Sequence, residues 1–209
     1  GEAFLRAYER TGDEYCLQAA KRAAHSLAWG QLSSGGWDYS IDFDPERAGR
    51  FHYRRDLEDG RTDPGKKSIT STFDDDTSQS ALCLLIEYDR VTRFTDETVH
   101  RAARFAIDHF LKVQRPNGGW PQRFIGPCDP AEWPARNARY PDEWSRTFAG
   151  VDYRYFYTLN DHVAHDLIRT LLLACDVYGD KACLDAALRT GDFFIAAQLP
   201  EPQPTWAQQ

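Results

Sequence analysis

Three stretches of the chain carry the same helical alternation of apolar and polar positions. Each opens at an aspartate, Asp13, Asp96 or Asp180, and closes 18 residues later at a glutamine, Gln31, Gln114 or Gln198. The offsets between copies are 83 and then 84 residues, and the apolar positions correspond: Cys16, Val99 and Cys183; Ala20, Ala103 and Ala187; Leu27, Phe110 and Phe194. Alanine-rich stripes at this 3.6-residue period suit close helix–helix packing. Chance does not preserve such a register three times. Beyond each glutamine stand a turn and a tryptophan, in Gly35-Gly36-Trp37, Gly118-Gly119-Trp120 and Pro204-Thr205-Trp206.

Each copy is preceded by a second apolar run, ending at Tyr8, at Tyr88 and near Cys175, across a short connection such as Glu9-Arg10-Thr11-Gly12. The unit is thus an αα-hairpin. Six helices are expected, at about 1–9, 14–31, 76–91, 96–114, 161–177 and 181–198. The architecture this predicts is all-α: an α/α toroid of three antiparallel hairpins, an incomplete (α/α)3 barrel in one domain over 1–209. The connections from Trp37 to Phe73 and from Trp120 to Thr158 are long, and long loops in compact domains tend to carry function. In an antiparallel hairpin the start of the first helix and the end of the second share a face, so both long loops decorate one face. The first hairpin holds only Gly1 to Tyr8 of its leading helix, and the chain is expected to be truncated at both ends.

Composition narrows the function classes. The 209 residues suffice for one sizeable core. No apolar run reaches the roughly 18 residues that a membrane span needs, and the net charge of −7 argues against nucleic acid as a partner. A monomer is expected. Five cysteines, at 16, 83, 128, 175 and 183, show no metal spacing; four lie in helical patterns as small core hydrophobes, while Cys128 sits in a loop. The chain opens with Gly1 rather than Met, so its lack of a signal peptide says nothing about export.

The candidate chemistry lies where the long loops meet the leading helices. Asp74, Asp75 and Asp76 stand directly before Ala81, Leu82, Leu84 and Leu85. One aspartate satisfies a helix N-terminus, whereas three adjacent ones repel unless a cation shares the site. Asn160-Asp161-His162 opens the last leading helix in the same way. Matching Leu84-Leu85 with Leu171-Leu172, an offset of 87, places Asp74 on Asp161. Axes of packed helices lie about 8–10 Å apart, so the two carboxylates are expected to face one shared ligand. Hard cations such as Ca²⁺ take six to eight oxygens, and Asp74, Asp161, Asn160 and Asp75 offer several. Two ordinary helix caps stand as the alternative.

Trp37 and Trp120 follow glycine pairs on this face, either as wedges between hairpins or, for Trp120 equally, as a platform for a sugar ring. The long loops hold Arg47, Arg50, Arg54, Arg55, Arg61, Lys66, Lys67, Arg123, Arg136, Arg139, Arg146 and Arg154. Such a concentration permits an anionic ligand despite the net negative charge, since arginine forks grip carboxylates. His162 and His165 adjoin the acids but read as exposed helix surface.

Three segments in order, Thr72-Phe73-Asp74-Asp75-Asp76-Thr77, Asn117-Gly118-Gly119-Trp120-Pro121-Gln122 and Thr158-Leu159-Asn160-Asp161, resemble the hallmark segments of family ten polysaccharide lyases, pectate lyases with an α/α toroid. The terminal Pro202–Gln209 resembles a further segment. The resemblance implies β-elimination in polygalacturonate with Ca²⁺ between enzyme and uronate, in a secreted or periplasmic protein. It implies Asp74 and Asp161 as catalytic metal ligands, with Asp75, Asn117, Trp120, Gln122, Arg154 and Asn160 binding substrate. It also implies a base arginine beyond residue 209. Asp75 and His162 depart from the pattern, and the loop before Asp161, with Trp133 and Trp144, is long. A non-catalytic toroid that binds acidic polysaccharide, or a glycoside hydrolase on the same fold, are the competing classes.

Overall fold

The computed structural model describes residues 1–135, 138, 150 and 152–207. Arg136, Arg139, Trp144 and Arg146, and the terminal Gln208 and Gln209, lie outside the described residues. Among the described residues eight α-helices follow in chain order: α1 (Glu2–Thr11), α2 (Glu14–Gly30), α3 (Pro45–Ala48), α4 (Arg54–Glu58), α5 (Thr77–Val91), α6 (Glu97–Val113), α7 (Val163–Tyr178) and α8 (Lys181–Ala197). The six long ones fall within two residues of the expected bounds. Local chemistry explains their ends. The carboxylates of Asp13, Asp96 and Asp180 accept from the backbone N–H groups of Tyr15, Val99 and Ala182, the role of an N-cap. Gly12 and Gly179, left-handed at φ 69° and 67°, close α1 and α7.

The hairpins α1–α2, α5–α6 and α7–α8 stand in two layers. Helices α1, α5 and α7 lie side by side, and α2, α6 and α8 pack against them and along one another. The core runs through the alanine stripes of α2 and α6 and the apolar faces of α5 and α7, with Leu82, Leu85, Ile86, Phe110, Leu167 and Leu171 fully buried. A buried glutamine locks each hairpin to the next. Gln31 Nε2 donates to Gly35 O and to Ala102 O of α6, both at 3.0 Å. Gln114 Nε2 does the same one hairpin later, to Gly118 O at 3.1 Å and Ala186 O of α8 at 2.9 Å. The glycines after these glutamines are required by contact. Gly118 has φ 88°, and a Cβ there would lie 2.0 Å from the Arg189 carbonyl oxygen.

The tryptophans resolve as wedges. Trp37 and Trp120 are 1% and 0% exposed; the Trp37 indole donates to Leu27 O at 2.8 Å and that of Trp120 to Thr190 Oγ1 at 2.9 Å. Trp120 therefore has no open ring face, which corrects its expected role as a platform for a sugar ring. Trp206 repeats the Trp37 bond, donating to Phe194 O at 2.8 Å, but is 47% exposed.

The first long loop is more ordered than expected, because it contains α3 and α4. Asp44 caps α3 with Pro45 at its first turn, a local signal at sequence level. The Asp56 carboxylate caps α4 by accepting from Tyr53 N. Leu32, Ala48, Phe51 and Tyr53 form a second small core beneath these turns. Two short strands, β1 (Ser71–Thr72) and β2 (Arg123–Phe124), join the two long loops antiparallel, with Thr72 opposite Arg123.

The glutamine locks predict a graded stability series. Gln31→Ala removes the buried bonds to Gly35 O and Ala102 O and should cost about 1–3 kcal/mol. Gln198, which among the described residues reaches only Pro204 O, at 3.5 Å on the surface, should cost less than about 0.5 kcal/mol as Gln198→Ala. Urea denaturation of both variants checks the contrast; equal costs would contradict it.

Candidate functional site

The acidic turn is set by the residues on either side of it. Phe73 is fully buried. Its ring stacks on Phe124 at 4.4 Å and meets Phe110 and Trp120 edge-on at 4.8 and 5.9 Å. Its N–H donates to Gln122 O at 2.8 Å, and its carbonyl accepts from Gln79 Nε2 at 2.8 Å. With Phe73 anchored, the chain turns through Asp75 and Asp76 at φ 50° and 57° and enters α5 at Thr77. Left-handed backbone is uncommon outside glycine, and Asp and Asn are the side chains that tolerate it best.

The last hairpin repeats this turn. Asp161 and His162 take φ 48° and 59° immediately before α7. Thr72 Oγ1 accepts from Asp74 N and Thr158 Oγ1 accepts from Asn160 N, both at 3.1 Å. The backbone N–H groups of Thr72 and Thr158 donate to Trp37 O and Trp120 O at 2.9 and 3.0 Å. These bonds match Thr72 with Thr158, Asp74 with Asn160, and Asp75 with Asp161, an offset of 86. The expected offset of 87, with Asp74 on Asp161, is one residue out. It followed the apolar run inside the helices, where one leucine step is invisible, rather than the turn that starts them.

Asp74 and Asp161 nonetheless meet, because the turn carries them toward each other. Gln122 Nε2 donates to Asp74 Oδ1 at 2.5 Å and to Asp161 Oδ2 at 3.1 Å. Gln122 is 2% exposed, so one buried amide spaces two carboxylates. The Tyr39 hydroxyl donates to Asp74 Oδ2 in a short contact, and the Asn160 amide contacts Asp161 Oδ2. The pair is electrostatically split. Desolvation acts to raise Asp74, but the hydrogen bonds from Tyr39 and Gln122 outweigh it and hold the carboxyl below its usual range. Asp161 is pushed up, by partial desolvation first and then by its contact with Asp74 and the charges of Asp74 and Asp75. Burial raises Asp76 likewise, with Asp166 adding to it.

The other expected site residues are placed as follows. Asp75 is exposed beside the pair. Asn117 holds its own turn, its Oδ1 accepting from Gly119 N at 3.0 Å. Arg154 is engaged by Asp152 through two bonds of 2.7 Å. Lys66 is exposed in the turn after α4, and His162 and His165 are exposed. Among the described residues, no group of three or more His, Cys, Asp or Glu side chains is arranged to hold a metal ion. No described helix is long and apolar enough to cross a membrane. All five cysteines are free thiols. Beside the acids opens a cleft of about 920 Å³, lined by Tyr39, Ile41, Phe43, Asp75 and Asp76 among others. Tyr39 escapes sequence reading altogether; its only signal is its place two residues after the Gly-Gly-Trp turn.

The split predicts a coupled titration. In Asp74→Asn the neighbouring negative charge is gone, so Asp161 should titrate at lower pH than in the wild type. Carbon-detected NMR of the aspartate carboxyls checks this; an Asp161 titration unmoved by the substitution would show that Asp74 does not bear on it.

Residues 50–190 match the family described as pectic acid lyase. No curated protein matches the chain. Among solved structures, the Family 10 polysaccharide lyase from Cellvibrio cellulosa superposes with a TM-score of 0.52 at 17% identity. The match covers 87% of this chain and 49% of that one. A mutant of the same lyase in complex with trigalaturonic acid gives the same values. This chain thus spans about half the length of the solved structures it matches, and at this identity the likeness establishes the toroid fold. The shared fold and the family match over residues 50–190 agree with the three ordered motifs, and the chain belongs to the pectic acid lyase family.

Proposed function

We propose that residues 1–209 form one toroid domain of a secreted or periplasmic, monomeric lyase that cleaves an acidic polysaccharide, polygalacturonate in the first instance, by β-elimination. The observation that carries this reading is the meeting of Asp74 and Asp161 across the buried Gln122 amide, in a chain of this family. The trigalaturonic acid bound to the related lyase supports a galacturonate oligomer as ligand.

Calcium suits the donors present. They are hard oxygens, and the like charges of Asp74, Asp75 and Asp161 crowd one another in a way a cation relieves. Asp74 and Asp161 would hold the ion. Bound there, calcium would neutralise a uronate carboxylate and so make the C5 proton easier to remove. The chain's own residues prepare that position. Tyr39 and Gln122 keep Asp74 ionised, and Gln122 spaces it from Asp161. In the elimination the C5–H electron pair forms the C4–C5 double bond, the proton passes to a base, and the O4 leaving group departs.

Calorimetry with calcium and trigalacturonate tests the site. Asp74→Ala and Asp161→Ala should each weaken binding about tenfold or more, in line with loss of a charged ligand contact, with circular dichroism unchanged. Undiminished binding in both variants would dismiss the paired-acid site. Cleavage of polygalacturonate that resists a chelator and gives no ultraviolet-absorbing unsaturated product would point instead to hydrolysis.

A further inference from the structure

Two carboxylates cannot by themselves attract a polyanion, so the cations bordering them matter. Arg154 is spent on Asp152. Arg123 is different. It directly follows Gln122 and lies on β2 opposite Thr72. Its guanidinium lies 5.8 Å from the centre of the Tyr39 ring, the same ring whose hydroxyl is bonded to Asp74. Among the described residues no carboxylate pairs with it within 4.0 Å and its buried Nε has no hydrogen-bond partner, while the Tyr39 hydroxyl and the more distant Asp152 charge act on the rest of the group. Tyr39, the ring that this guanidinium faces, is 48% exposed and lines the cleft.

We infer that Arg123, standing over Tyr39 beside Asp74, is the fork that binds a carboxylate of the acidic sugar and so selects unesterified uronate at the acid pair. The inference rests on the proposed function and adds a recognition element to it. Planar guanidinium and carboxylate match in two parallel bonds, which an ammonium group does not reproduce. Tyr39 then serves twice, ordering Asp74 through its hydroxyl and supporting the guanidinium through its ring.

The test is calorimetric titration of the full chain with trigalacturonate in calcium, for wild type, Arg123→Gln and Arg123→Lys, alongside thermal melting. The expected result is about a tenfold weaker affinity in Arg123→Gln and a smaller loss in Arg123→Lys. The melting midpoints should stay at the wild-type value, and the methyl-esterified trisaccharide should bind wild type and Arg123→Gln alike. Trigalacturonate binding by Arg123→Gln as tight as wild type overturns the inference and leaves the proposed function standing. Equal losses in both variants with lowered midpoints assign Arg123 to the framework and also overturn it. A wild-type chain that does not bind trigalacturonate at all overturns the proposed function together with it.

Discussion

The acidic face depends on how each hairpin is registered on the next, and that register is set by a buried amide. Gln31 and Gln114 end their helices by donating both to the tight turn that follows and to a helical carbonyl of the neighbouring hairpin. A hydrophobic seam of alanines tolerates sliding, since one small side chain resembles another. A directional bond to a particular buried carbonyl does not, because a slip strands polar groups away from water. The same glutamine aims the turn that carries Trp37 or Trp120, whose carbonyls in turn receive Thr72 N and Thr158 N. A chain of main-chain contacts thus runs from the helix ends to both acidic turns.

Those turns trade backbone strain for geometry. Two consecutive left-handed non-glycine residues before a helix are costly, and they persist where the surroundings over-determine them. Phe73, clamped among three aromatic rings, is that surrounding at the first turn. The result is two carboxylates of like charge brought to one amide, with Tyr39 bonded to one of them. The site is a small set of oxygens held by a rigid frame, with half-exposed aromatics and arginines at its margin.

The family match identifies the chain, while 17% identity leaves the side chains at the margin free to differ. Arg123 and Tyr39 belong to that margin. The Arg123 guanidinium faces the Tyr39 ring, and the Tyr39 hydroxyl is bonded to Asp74.

Much was legible in the sequence because it is local. Asp caps, glycine stops and the 3.6-residue alternation of apolar residues determined the six long helices, and their repetition determined three hairpins and a shared functional face. The prominence of Asp74, Asp161 and Gln122 was legible too, through the ordered motifs. Only the tertiary structure decided which of these residues touch. The register between copies hinged on a one-residue turn that apolar periodicity does not report, so Asp161 proved equivalent to Asp75 while still meeting Asp74. Trp120 passed from sugar platform to core wedge because the amount of space between α6 and α8 is a property of packing. Tyr39 and Arg123, 84 residues apart, became neighbours through the pairing of two long loops, a contact that no local pattern in either segment encodes.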